Sequence, residues 1–344
     1  MAISRPALES ALAQLPYIPL AHLPTPLEAT ARLGSAIDVP RLHVKRDDLT
    51  GLAMGGNKTR QLEYLLGAAV ASGATAVITG AGAESNHCRQ LAAGCARLGL
   101  RACLILRGEP TPTPEGNLLL DTLLGAESRY IPADRFYEGF AAAAEAWARE
   151  LRAEGHTPYL IDTLGYDSPS LAIAALGYVR AALELEAQFE VVRWRPASVY
   201  FCSGAATQAG LLVASAALDL PYELVGVSAS PFIPKKQEVI AKVATRTASL
   251  LGLSIAIDPQ GVTNLDAYIG PGYGVTTPAS RAALVLAART EGLLLDPTYT
   301  AKALAALIDR RRRGLVGKSD DVLFLHTGGT PNLFLSRNAA LAAS

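Results

Sequence analysis

Hydrophobic and polar positions along the chain alternate between two rhythms. Short apolar, β-branched runs at 74–79, 102–106, 198–202, 223–228 and 322–326 read as strands, with shorter ones at 42–45, 128–131 and 159–161. Between them, apolar residues recur every three to four positions and predict helices. These are expected from 58 onward through Leu62, Leu65 and Leu66, then at 91–98, 117–124, 140–152 and 171–189. Further helices are expected from Gln208, and at 237–251, 279–291 and 300–313. Prolines crowd the first forty residues, densest at His22-Leu23-Pro24-Thr25-Pro26-Leu27, and predict extended segments rather than helix. Strand, loop, helix and strand in succession make βαβ units, so parallel sheets covered by helices on both faces are expected.

Length and composition narrow the picture. At 344 residues, half of them hydrophobic, the chain suggests two domains or one large α/β unit. The break at Thr163-Leu164-Gly165-Tyr166-Asp167-Ser168-Pro169 is the expected return between domains. Thirty-one basic residues balance thirty-one acidic ones, which argues against nucleic acid as a partner. The run Arg310-Arg311-Arg312-Arg313 reads as the solvated end of a helix. Cys88, Cys95, Cys103 and Cys202 lack metal-ligand spacing, so no metal is expected, and reduced thiols suit a cytoplasmic enzyme. No apolar run reaches the roughly 18 residues that a membrane helix needs.

The candidate chemistry begins at Leu52, in the stretch LAMGGNKTRQLEYL. Two glycines allow a tight turn, Asn57 is placed to cap a helix, and Lys58 falls in its first turn. There the positive end of the helix dipole favours a neutral amine, the form that condenses with a carbonyl. Three small-residue loops, at 80–86, 203–207 and 327–330, follow strands, where open parallel sheets gather their ligands. The loop Ser203-Gly204-Ala205-Ala206-Thr207 also precedes a helix, an arrangement suited to a phosphate. It has neither the P-loop nor the dinucleotide-binding glycine pattern. A carbonyl-trapping lysine, a phosphate cradle and a polar strand-end loop together suggest pyridoxal phosphate. His87 alone is read as a structural or capping residue.

Five motifs then follow in order. They are Gly55-Gly56-Asn57-Lys58, Ser85-Asn86-His87, Pro271-Gly272-Tyr273-Gly274, Asp296-Pro297-Thr298-Tyr299-Thr300 and His326-Thr327-Gly328-Gly329. With them the chain resembles, from about Thr25 to Phe334, the D-cysteine desulfhydrase and 1-aminocyclopropane-1-carboxylate (ACC) deaminase family, related to tryptophan synthase β. The resemblance implies the two-domain fold type II of pyridoxal phosphate enzymes, each domain an open, mainly parallel sheet flanked by helices. The expected division is residues 1–53 plus 165–344 for the larger, cofactor-binding domain and 54–164 for the smaller. A homodimer acting on a small amino acid is implied as well.

By that resemblance Lys58 carries the cofactor and moves the Cα proton, Asn86 meets the ring hydroxyl, and Ser85 meets the substrate carboxylate. Residues Ser203, Gly204, Ala205, Ala206 and Thr207 match the phosphate loop, with Ala206 restricting φ where relatives have glycine. Tyr273 and Tyr299 match two active-site tyrosines, either of which would assist the departing sulfur if its pKa were lowered. Thr327 joins the cofactor pocket. Thr300 stands where ACC deaminases carry a glutamate facing the ring nitrogen. A neutral hydroxyl there argues for α,β-elimination over cyclopropane opening, so D-cysteine desulfhydrase is the first reading. Leu164-Gly165-Tyr166-Asp167 departs from the family pattern and leaves L-cysteate sulfo-lyase open, with Lys235, Lys236 or Arg89 to attract a sulfonate. Also open are ACC deaminase, a racemase or dehydratase of the same fold, and a catalytically silent relative that keeps the cofactor.

Overall fold

A computed structural model describes residues 2–232 and 235–342. The chain begins with α1 (Arg5–Ala13), then β1 (Leu27–Ala29), α2 (Ala31–Ala36) and β2 (Leu42–Lys45), and enters α3 (Asn57–Ala71). The helices α1 and α2 correct the expectation that this region is extended. Pro6 sits in the first turn of α1, where a backbone N–H has no partner to lose, and Ser4 caps that turn by accepting from Ala7 N.

A compact βα run follows: β3 (Ala76–Gly82), α4 (Asn86–Leu98), β4 (Arg101–Arg107), α5 (Gly116–Leu123), β5 (Glu127–Ile131), α6 (Phe136–Ala153) and β6 (Pro158–Ile161). Its four strands make one parallel sheet in the order β5-β4-β3-β6. The chain returns through α7 (Pro169–Val192), β7 (Ser198–Cys202), α8 (Ala206–Leu218), β8 (Glu223–Val227), α9 (Lys236–Leu250) and β9 (Asn264–Leu265). It ends with α10 (Pro278–Glu291), α11 (Thr300–Arg312) and β10 (Val322–Leu325), followed by two short 3-10 turns. The second sheet has the order β1-β2-β10-β7-β8-β9 and is parallel except for β1, which pairs antiparallel with β2 at the edge.

Side-chain alternation explains the layers. In β7, Val199 and Phe201 enter the core beneath α7, α8 and α9, while Tyr200 and Cys202 face the one beneath α2, α10 and α11. In the smaller sheet Val77, Leu104 and Leu106 face the shared core. Ala76, Ile78, Cys103 and Ile105 face α6 through Phe136, Phe140 and Trp147. Both sheets are thus covered on both faces, as the periodicity predicts. No helix among the described residues is long and apolar enough to cross a membrane, and no group of residues that could hold a metal ion occurs among them.

Candidate active site

Residues from both sheets meet at a cavity of about 230 Å³. The carboxyl end of β3 brings Ala81, Gly82 and Ser85, the start of α3 brings Asn57 and Lys58, and the loop after β7 brings Gly204. The loop after β10 brings Thr327 and Gly328. Tyr273 and Tyr299 form another wall. The three small-residue loops picked out in the sequence therefore converge.

Lys58 owes its position to an unusual backbone approach. Gly56, not Asn57, precedes the first turn of α3, with φ of 123°. A Cβ at Gly328 would lie 2.6 Å from the Gly56 Cα, so the two loops touch where neither has a side chain. Asn57 is the first helical residue and does not cap. Its Nδ2 instead donates to Thr207 Oγ1 at 3.1 Å, which also accepts from Gln61 Nε2 at 3.1 Å. The Lys58 amine, donating to Gln61 Oε1 at 3.2 Å, is pushed by burial down to about 8. Two residues on, Arg60 donates to Asp47 at 2.8 and 2.9 Å and to Glu184 at 2.9 Å, and Asp47 also accepts from Tyr178 at 2.7 Å. This buried network ties α3 to α7 and to the turn after β2.

The remaining expected residues divide by their hydrogen bonds. Ser85 caps α4, accepting from His87 N at 3.1 Å and keeping its own proton to donate. Asn86 accepts from Asn117 Nδ2 at 3.0 Å, which leaves its NH2 group for the cavity. Tyr273 and Tyr299 bond hydroxyl to hydroxyl. Burial pushes the Tyr273 phenol up to about 12 and the Tyr299 phenol well above its ordinary range, the reverse of the lowering that sulfur departure was expected to need. Both phenols therefore hold their protons at neutral pH. Thr300 does not line the cavity. Its hydroxyl donates to Asp296 Oδ1 at 2.8 Å and accepts from Asp296 N at 2.8 Å. The hydroxyl proton is thus already engaged, and toward a ligand it has only acceptor capacity left.

The sulfonate candidates are placed elsewhere. Lys236 donates to Ser228 Oγ at 2.9 Å, Arg89 to the Gly55 carbonyl at 2.8 Å, and Lys235 pairs with Glu238 at 3.3 Å. None of the three lines the cavity. Of the departing segment, Leu164 does, whereas Asp167 pairs with Lys242 and Arg246.

His87, Cys202, Arg107, Phe232 and Tyr137 also line the cavity, and sequence reasoning missed their part in it. For His87 the signal was its place beside Ser85 and Asn86. Burial and then Lys58 push its imidazole down to about 3, so it is neutral, and its Nε2 lies 3.2 Å from Thr79 Oγ1.

A model of the family described as "Pyridoxal-phosphate dependent enzyme" matches residues 18–328. The chain belongs to this pyridoxal-phosphate-dependent enzyme family. Over 96% of its length and 96% of the relative's, it is 38% identical to a Pyrococcus abyssi protein provisionally named 1-aminocyclopropane-1-carboxylate deaminase. It is also 38% identical to D-cysteine desulfhydrase of Yersinia enterocolitica, covering 95% of this chain and 98% of that one. A crystal structure titled as that of an ACC deaminase homologue superposes with a TM-score of 0.85, at 35% identity and 96% coverage of each chain. A threonine deaminase, at 22% identity, shares the fold, with a TM-score of 0.66 over 95% of this chain and 98% of that one.

The cavity fits the family's cofactor on its own features. Among the described residues Ser203 Oγ is buried without a hydrogen-bond partner, and a Cβ at Gly204 would meet nothing within 4 Å. The loop therefore offers an unspent polar group and open space beside the start of α8, where backbone N–H groups and the dipole favour a phosphate. Ala206 is the first residue of α8 and takes a helical backbone, so alanine there restricts nothing. Lys58, with its lowered pKa, suits attachment of an aldehyde.

Proposed function

We propose that the protein carries out α,β-elimination on a small β-substituted amino acid, with D-cysteine as the first candidate, giving pyruvate, ammonia and hydrogen sulfide. The observation that carries this reading is the presence, in one cavity, of a base and an acid. Lys58 is the amine of lowered pKa, and the Tyr273–Tyr299 pair keeps its protons.

Ser203 to Thr207 would hold the cofactor's phosphate, Lys58 its aldehyde carbon, and the Asn86 NH2 group the ring hydroxyl. When bound, pyridoxal phosphate would supply an electron sink for the carbon that bears the substrate amine. The Ser85 hydroxyl donates to the substrate carboxylate at the start of α4. Lys58 takes the Cα proton, for which an amine near neutrality is well matched. Tyr273, whose phenol keeps its proton and is bonded to Tyr299, donates a hydrogen bond to the departing sulfur. Thr300 brings no charge to the ring, which favours elimination over the opening of a cyclopropane that has no α-hydrogen.

The test is pyruvate release from D-cysteine, L-cysteine, L-cysteate and ACC under one set of conditions. D-cysteine is expected to have the highest kcat/KM and ACC a lower one. A clear preference for ACC would overturn the elimination reading.

The reading extends to a cytoplasmic homodimer, with residues 54–164 as the smaller domain between the two parts of the larger. A surface groove of about 940 Å³ along α10 supports pairing with a second copy, since Val275, Ala282, Val285, Leu286 and Leu341 line it. Sedimentation equilibrium at micromolar concentration is expected to give twice the chain mass, and a single-copy mass would reject the dimer.

A further inference from the structure

Arg107 ends β4, at the carboxyl edge of the smaller sheet and in the cavity wall. Across the strand pair its partner is Gly82, and Arg107 Nη2 lies 3.9 Å from where a Gly82 side chain would begin. The guanidinium therefore lies beside the Gly82 backbone, within ordinary contact distance of where a side chain there would start. Its central carbon stands 4.8 Å from the centroid of the Phe232 ring, which in turn lies 5.7 Å from that of Tyr273. Stacking on Phe232 holds the cation in place without neutralising it. Among the described residues Arg107 has no carboxylate partner. Nearby cations are committed elsewhere: Arg337 to Glu84, Lys236 to Ser228 and Arg89 to Gly55. A half-buried guanidinium facing a small cavity without a counter-ion is suited to receive an anion.

Which anion follows from the strand order. Ser85 follows β3, and β4 is the next strand outward, about 4.8 Å away. Ser85 and Arg107 both line the cavity, so a three-carbon amino acid whose carboxylate meets Ser85 can turn its β-substituent toward Arg107. Building on the elimination reading above, we infer that Arg107 receives the β-substituent and selects substrates whose substituent is, or departs as, an anion. The class includes alanines bearing a β-sulfonate as well as a β-thiol. With a sulfonate, the Cβ–S bond breaks and its electron pair leaves with sulfur as sulfite. The Cα proton passes to Lys58, and the remaining aminoacrylate takes up water to give pyruvate and ammonia. No oxidant or reductant is required.

The experiment uses the holoenzyme, wild type and Arg107→Met, and measures binding of cysteate and of alanine by the change in cofactor absorbance. Alanine lacks the β-substituent and serves as the reference. The ratio of cysteate affinity to alanine affinity is expected to fall at least about tenfold in Arg107→Met, the usual effect of losing a charge-assisted hydrogen bond. Arg107→Lys is expected to recover part of it. An unchanged ratio, including an equal loss for both ligands, would place the guanidinium on the α-carboxylate or outside the site and overturn the inference. Should Arg107→Met fail to fold, Arg107→Gln is read by the same ratio. Pyruvate release is followed in parallel. If wild type releases none from D-cysteine, L-cysteine or cysteate, the elimination reading falls, while the binding ratio still judges Arg107.

Discussion

Lys58→Ala is expected to abolish covalent attachment of pyridoxal phosphate and to lower elimination by roughly a thousandfold or more. The side chain serves twice, as anchor and as base, and loss of a general base alone typically costs between about 10²- and 10⁴-fold. The protein should still fold, because among the described residues the amine makes a single hydrogen bond, to Gln61 at 3.2 Å. In the cofactor-free wild type, an amine-reactive reagent should label Lys58 with a pH midpoint of about 8, since burial disfavours the ammonium form. Borohydride reduction of the holoenzyme followed by peptide mapping locates the attachment. A cofactor mapped to another lysine would falsify the assignment.

The second large effect is on stability. Arg60→Met is expected to destabilise the fold by about 3–5 kcal/mol, the range for breaking a buried ion pair from one side. Arg60 is 1% exposed and Asp47 0%, so removal of the guanidinium strands a carboxylate that water cannot reach. Burial works against the Asp47 carboxylate, but Arg60 and its other donors outweigh it and hold the group below its ordinary 3.8. The stability Asp47 contributes is therefore full above that value and is lost as the pH falls through the lower folded one. Urea unfolding between pH 3 and 7 should show this slope in wild type and a weaker one in Arg60→Met. A loss near that of an exposed pair such as Arg149–Glu145, 4.0 Å apart, would show the network to be dispensable.

Regular structure was legible wherever one rhythm ran long enough. The predicted strand at 198–202 matches β7, and the long helix at 171–189 lies within α7. Ends were harder, because tertiary contacts decide them. Gly80, Ala81 and Gly82 read as a loop, yet they continue β3 through pairing with Ile105, Leu106 and Arg107. The two-residue β9 has no periodicity to detect and exists through its pairing with Gly226 and Val227. In the site, Lys58 and the three loops could be read from local pattern. Arg107 could not, since on the chain it is one polar residue after a strand, and Phe232 gives it meaning only across 125 positions of sequence. The tyrosine pKa shifts were likewise hidden, because they come from burial and from each other.

The position of β10 governs how the molecule can be made. It lies between β2 and β7, pairing residue for residue with both, although it is the last strand of the chain. On a ribosome the smaller sheet, built from residues 76–161, can close while synthesis continues. The larger sheet cannot, because until residues 322–325 emerge β2 and β7 each keep an unpaired edge. Nascent chains arrested before that point therefore keep two strand edges open, each a template for pairing with another copy until the final strand arrives.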